Sequence, residues 1–185
     1  WNSKISVGGT ADNPRINLVG DISQGEIVGY NLHDVNIELN YLNNILYVNK
    51  LEGKQGDVGE FSLSGTGGMS SPLDLNLRSR SLALGIFSKL AGLDIEVTGA
   101  ANLDAKIGGT VLNPEVDATL MAQGSAGGAT FDSINSHVNF KDWICDIKDF
   151  TILRLIGGQA VSANMSGKIP IVALYLDPGD DVKPA

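Results

Sequence analysis

The chain has little of what marks disulfide scaffolds, nucleic-acid-binding proteins or membrane spans. Its one cysteine, Cys145, excludes an internal disulfide, and we expect it to be a small buried side chain. Only 13 lysine and arginine residues stand against 21 acidic ones, and this balance argues against binding nucleic acid or anionic membrane surfaces. No segment approaches the ~20 apolar residues of a bilayer span. We therefore expect the chain to work in water.

Patterns that would indicate an enzyme are also missing. His33 and His137 have polar neighbours on strand-like segments, and no cysteine, histidine or carboxylate cluster with metal-ligand spacing accompanies them. The glycine pairs lack the spacing of a phosphate-binding loop, and no nucleophile elbow occurs. The sequence predicts a protein that is not an enzyme and uses no cofactor.

What the chain does have is glycine, 23 residues of it, and an internal repeat. Residues 8–14 read Gly-Gly-Thr-Ala-Asp-Asn-Pro, and residues 108–114 read Gly-Gly-Thr-Val-Leu-Asn-Pro. Each copy continues with an alternating strand, a glycine turn, a strand led by an aromatic residue (Tyr30 or Phe131) and a closing Ser-Gly pair. A repeat of this length indicates units that stack into an array.

Apolar and polar residues alternate through most of the chain, as in the segment from Asp94 to Ile107. This period of two predicts antiparallel strands with one apolar and one polar face. The exception is residues 81–93, where the helical spacing predicts one short amphipathic helix with Ser81 as its N-cap. Such a helix would plug the end of a sheet or act as a mobile gate.

These patterns predict an all-β fold, an elongated, curled antiparallel sheet that forms an open trough with an apolar interior and one short helix. A sheet with one apolar face must shield that face from water, by packing a second layer on it, by curling over it or by holding something else in the space. The chain has few large aromatic side chains that could occupy the space inside a curled sheet. The predicted segments are a first groove repeat at 1–70, connecting strands with the helix at 71–107, a second repeat at 108–176 and a flexible tail at 177–185.

The residues that we expect to line the groove share the apolar phase of the alternation. Ordinary core packing is the alternative role for each of them taken singly. They are Ile16, Leu18, Val35, Ile37, Leu39, Phe61, Leu63, Leu73, Leu75, Leu77, Ile95, Val97, Leu103, Ile107, Val116, Leu120, Val138 and Val161.

The order of these features resembles a known family over about residues 5–170. The chain is similar to the TamB branch of the AsmA-like proteins in the order of its motifs. That order is Gly-Thr-x-x-Asn-Pro, an alternating strand, Ser-Gly, Pro-Leu-Asp-Leu-x-Leu at 72–77, a small helix and a strand into the next Gly-Gly-Thr. The resemblance implies a β-taco, a repeating β-groove, in a periplasmic segment of an inner-membrane-anchored protein of a diderm bacterium. It carries over no catalytic residue.

The resemblance also implies partners. We expect the groove to carry phospholipid acyl chains between the inner and outer membranes, and the intact parent to meet an outer-membrane β-barrel protein of the BamA or TamA type. A different class of function stays open, namely chaperone-like binding of outer-membrane β-barrel or autotransporter segments during their assembly. A passive β-solenoid stalk would need a filled interior and a shorter repeat.

Overall fold

The computed structural model describes residues 2–11, 13–68, 71–90, 92 and 94–170 of the chain. They form eleven strands and one short helix, so the all-β expectation is confirmed. In chain order the elements are β1 (Asn2–Gly9), β2 (Pro14–Ile27), β3 (Tyr30–Leu42), β4 (Ile45–Gln55), β5 (Gly59–Gly67), β6 (Asp74–Ala83), α1 (Leu84–Leu90), β7 (Val97–Gly109), β8 (Pro114–Ala126), β9 (Ala129–Lys141), β10 (Ile144–Ile156) and β11 (Gln159–Pro170).

All the strands belong to one sheet, in which each strand pairs antiparallel with the next along the chain. Tight turns make this order possible. In the β3–β4 turn both Asn43 and Asn44 have positive φ angles, 52° and 62°, which is the conformation of a type I′ hairpin turn. The described part of the chain contains no pairing between β1 and β11, so the sheet is open and both strands lie at its edges.

The register divides the side chains between two faces. Residues directly opposite each other on antiparallel strands point to the same side of a sheet. Leu18 is opposite Leu39, and Leu63 is opposite Leu77, which in turn is opposite Ala105. We call the side that carries these residues the apolar face, and the opposite side the polar face.

The sequence repeat is also a repeat of structure. The β4–β5 pair shifts its register between Val48 and Leu51, and the β10–β11 pair shifts between Ile147 and Phe150. The partner residues correspond as well. Gly65 is opposite Val48 and Gly167 is opposite Ile147, and these two glycines belong to the two Ser-Gly pairs. Strands β1 to β5 therefore correspond to β7 to β11, and β6 joins the two copies.

The helix and the core lie together near the middle of the sheet. Leu84 of α1 packs with Ala101, Ala122 and Phe131, and Ala101 is only 1% exposed. Partly buried Val97, Leu120, Ile134 and Ile152 pack against this cluster. The small alanines allow the helix to approach the sheet closely.

The helix begins later than the spacing predicts, and Ser81 is not its N-cap. Ser81 lies in β6 with a φ angle of 50°, and its backbone N–H donates to Asn102 Oδ1 at 2.8 Å. The register of β6 with β7 shifts here, between Ser79 and Leu82, so the chain makes a bulge before the helix starts at Leu84. The predicted end of the helix at Leu93 lies outside the described residues.

Two other boundaries differ from the sequence prediction. Strand β7 begins at Val97 rather than at Asp94, and it runs to Gly109, past the predicted segment boundary at 107. Strand β9 begins at Ala129, so that Phe131 is its third residue rather than its first. The predicted flexible tail at 177–185 lies outside the described residues.

Candidate functional site

The register brings most of the predicted groove residues to one face of the sheet. All of them except Leu73 and Ile95 lie in strands, on the apolar face. Leu73 immediately precedes β6, and its backbone N–H donates to the Gly109 carbonyl at 2.8 Å. Ile95 precedes β7 and is exposed, so its prediction as a strand residue is wrong.

Burial on the apolar face falls from the middle of the sheet to its edges. Val35 is buried, and most of the groove residues between β2 and β9 are half-buried. At the edges Val7 is 74% exposed on β1, and Met165 is 54% exposed on β11. Within the described residues α1 is the one element outside the sheet, and it packs on β6 and β7.

Contacts across the sheet hold α1 in place. Lys89 Nζ donates to the Val28 carbonyl in the β2–β3 turn at 3.2 Å, and it lies 5.0 Å from the centre of the Tyr30 ring. At the start of the helix the Ala83 N–H donates to Oε1 of buried Gln55 on β4, at 2.8 Å. The helix thus joins β6 to the β2–β3 turn along one end of the strands, a contact that no local sequence pattern could indicate.

The polar face carries several exposed ion pairs. Arg78 and Arg80 both contact Asp104, at 3.4 Å and 2.9 Å, and Lys141 contacts Glu115 at 2.8 Å, which raises the pKa of Lys141. Pairs as exposed as these add little to stability, because water screens them, so their main effect is to keep this face hydrated. A hollow of about 610 Å³ lies among the charged side chains of β3 to β6, and it is too polar to be the predicted groove.

One histidine is tied to its surroundings at both ring nitrogens. His33 Nε2 lies 2.6 Å from the Gly56 carbonyl oxygen, and Nδ1 lies 3.1 Å from the Asp34 carboxylate. Two acceptors favour the doubly protonated ring, and they raise the pKa of His33, the Gly56 carbonyl more than Asp34. Hydrogen bonds from His33 and Lys54 lower the pKa of Asp34 in turn. The other histidine, His137, contacts Asp117 at 3.1 Å.

The single cysteine lies on the apolar face, where its strand positions it opposite Phe140 and Ile169. It is half-buried, and burial together with the neighbouring Asp146 carboxylate raises the pKa of its thiol. A thiol of raised pKa is a weak nucleophile, which fits a packing role. On the polar face the hydrogen bond from Lys148 lowers the pKa of Asp146.

The repeated Gly-Thr-x-x-Asn-Pro motif forms a closed loop between β1 and β2, and again between β7 and β8. In each copy the threonine and asparagine backbones bond to each other, and the threonine hydroxyl accepts from the asparagine N–H. The glycine has a positive φ, and a Cβ at Gly9 or Gly109 would collide with the asparagine carbonyl. The motif is therefore explained by loop structure.

The asparagine of the motif has a further role that the sequence analysis missed. Asn13 Nδ2 donates to Asn43 Oδ1 at 3.2 Å, and Asn113 Nδ2 donates to Asp142 Oδ1 at 3.1 Å. Each loop is thus fastened to the next turn on the same end of the sheet. The signal that could have revealed this contact was the recurrence of Asn-Pro with polar turn residues further along the chain, 30 residues away in the first copy and 29 in the second.

The remaining features of the described residues give no further site chemistry. No group of three or more His, Cys, Asp or Glu side chains is arranged there to hold a metal ion. Among the same residues no helix has both the length and the apolar character needed to cross a bilayer. Comparisons with protein-family models, with curated proteins and with solved structures found no match to this chain.

Proposed function

We propose that the chain is a piece of a periplasm-spanning protein whose apolar face binds phospholipid acyl chains and carries them between the inner and outer membranes. The proposal follows the resemblance to the TamB branch of the AsmA-like proteins. The observation that carries it is the register of the strands, which puts the predicted groove residues of β2 to β9 and β11 on one face of the sheet. In the described chain no second sheet covers that face.

The proposal includes a sheet that curls about its apolar face into a trough, since an open sheet with one apolar face can shield that face by curling over it. Val35 on β3 and Phe61 on β5 both reach over Gly53 on the strand between them, to within 2.8 Å of where a Cβ would stand, so side chains of neighbouring strands fill the space above this glycine. Elsewhere on the face apolar side chains are only half-buried, which leaves surface for an acyl chain.

The energetics favour acyl chains as the occupant. Each methylene group taken out of water contributes about 0.8 kcal/mol, so a sixteen-carbon chain could gain on the order of 10 kcal/mol on a continuous apolar surface. Aliphatic side chains such as Leu39, Leu63 and Leu103 provide such a surface without a specific pocket. The hydrated polar face with its ion pairs would keep the loaded protein soluble.

The proposal is tested with a pair of neighbouring substitutions on opposite faces. Leu120 lies on the apolar face of β8, whereas Thr119 is exposed on the polar face. The chain is purified from bacterial membranes and periplasm, and bound lipid is measured by native mass spectrometry and extraction. We expect phospholipid on the parent and on Thr119→Asp, and its loss from Leu120→Asp with the β-sheet circular dichroism unchanged.

Lipid-free parent protein that also refuses added phospholipid would contradict the proposal. Unfolding of Leu120→Asp would indicate a closed core at that position, because a buried charge without a partner is costly. In that case Leu18→Asp is the second variant, since Leu18 is near an edge and only half-buried, and Val19→Asp on the polar face is its control.

The chaperone-like function is favoured by a separate observation, the two strand edges. On their outer sides β1 and β11 pair with no strand of the described chain, and an extended client segment can add to such an edge by β-augmentation. Binding of unfolded outer-membrane barrel protein by a chain that takes up no lipid would select this function. Lipid uptake without client binding would select transport.

A further inference from the structure

The structural repeat indicates what the outer edge of β1 is built to receive. Strand β1 corresponds to β7, and the corresponding edge of β7 is covered by β6, with Leu75 opposite Ile107 and Leu77 opposite Ala105. Moving from β7 to β1, Val7 replaces Ile107 and Ile5 replaces Ala105. The same apolar positions are thus present on an edge that no strand of the described residues covers.

The two edges differ in the exposure of their apolar side chains. Ala105 is 8% exposed beside β6, whereas Ile5, its counterpart, is 60% exposed. Val7 on the same face is even more exposed. Protein sheets rarely leave a long apolar edge strand unprotected, because such an edge pairs readily with other chains.

The polar face adds a charge preference. Arg78 on β6 is opposite Asp104, and the two form an ion pair at 3.4 Å. In the structural repeat Lys4 on β1 occupies the position of Asp104 on β7. A copy of β6 paired with β1 would therefore place the equivalent of Arg78 opposite Lys4. Like charges directly opposite each other destabilise an antiparallel pair, and opposite charges stabilise it.

We infer that the outer edge of β1 is a docking site for an antiparallel strand with the alternation of β6 but with a carboxylate in place of its arginine. Leucine-type side chains of this strand cover Val7 and Ile5 on the apolar face, and the carboxylate pairs with Lys4 on the polar face. The strand belongs to a further unit of the same repeat, so that the apolar face continues from one unit to the next.

Synthetic peptides test this docking on the complete chain. One peptide has the sequence of residues 72–83, and the other carries Arg78→Glu within it. We expect the Glu peptide to bind more tightly by a factor of about 1.5 to 5, the range for cross-strand charge pairs. Lys4→Glu in the chain should reverse that preference. The readout is the dissociation constant from fluorescence anisotropy.

Substitutions at the edge locate the binding. Val7→Asp should weaken both peptides at least tenfold, while Ser6→Asp, which adds the same charge on the polar face, should keep the preference for the Glu peptide. Both positions are exposed, so folding is expected to survive. Failure of both peptides to bind, binding unaffected by Val7→Asp, or an unchanged preference in Lys4→Glu would overturn the inference. Normal lipid uptake in the same protein would leave the proposed function intact.

Discussion

Asn113 fastens its loop to Asp142 across 29 residues of sequence, through a hydrogen bond of 3.1 Å from Nδ2 to Oδ1. Asn13 makes the same contact with Asn43 in the first copy. An exposed hydrogen bond of this kind contributes about 0.5–1.5 kcal/mol. We expect Asn113→Ala to lower the free energy of unfolding by that amount in urea titration.

A double-mutant cycle isolates the contact from other effects. Asp142 has a positive φ of 51°, so Asp142→Gly removes its carboxylate while keeping a residue that tolerates this backbone. After Asp142→Gly, the further change Asn113→Ala should cost about 0.5–1 kcal/mol less than in the parent chain. Equal costs in the two backgrounds would mean that the contact adds nothing to stability.

The loop glycines provide a second prediction. Gly109 has a φ of 74° and no room for a Cβ beside the Asn113 carbonyl, whereas the adjacent Gly108 lies outside the left-handed region and has only distant neighbours. Gly109→Ala should therefore lower the free energy of unfolding by about 2 kcal/mol or more, from strain and collision together. Gly108→Ala is the matched control and should stay within about 0.5 kcal/mol of the parent.

The protonation of His33 predicts a pH dependence of stability. Its pKa is raised above the ordinary value near 6.5, so the folded state binds this proton more tightly than the unfolded state. The stabilisation is complete below pH 6.5 and is lost as the pH rises through the higher pKa of the folded state. Between pH 6 and pH 8 the parent chain should lose more stability than His33→Gln in urea titration. Parallel pH profiles would contradict this account.

The β2–β3 turn predicts a stabilising substitution. Val28 has a positive φ of 46°, which costs a β-branched residue about 1–2 kcal/mol, and Gly29 follows it. Val28→Asn creates the Asn-Gly pair preferred in type I′ turns and should raise the free energy of unfolding by about 1 kcal/mol. Val58→Asn, in an exposed turn without this backbone strain, should have no such effect. Both are compared by thermal and urea unfolding.

The strands and their faces could be predicted because the alternation of apolar and polar residues depends only on neighbouring positions. The alternation around β6 is enough to define its apolar side, which carries Leu73, Leu75 and Leu77, while Arg78 points to the other side. The repeat supported the same reading in both halves. The face that carries the predicted groove residues therefore follows from sequence alone.

What could not be predicted depends on contacts between distant residues. The bulge at Ser81 delays the helix, and it is held by Asn102 on the next strand, which local spacing does not indicate. The same limit applies to the bond from Lys89 to Val28 and to the loop contact of Asn13 with Asn43, because each joins residues that only the register brings together.

The most direct test of the lipid-carrying apolar face is a map of where acyl chains touch the protein. The chain is loaded with a phospholipid whose acyl chain carries a photoreactive diazirine, irradiated, digested and analysed by mass spectrometry. We expect labels at apolar-face positions such as Leu18, Leu39 and Leu103, and none at polar-face positions such as Val19, which is 46% exposed and equally apolar. Labels at Val19 as frequent as those at Leu18 would contradict the account.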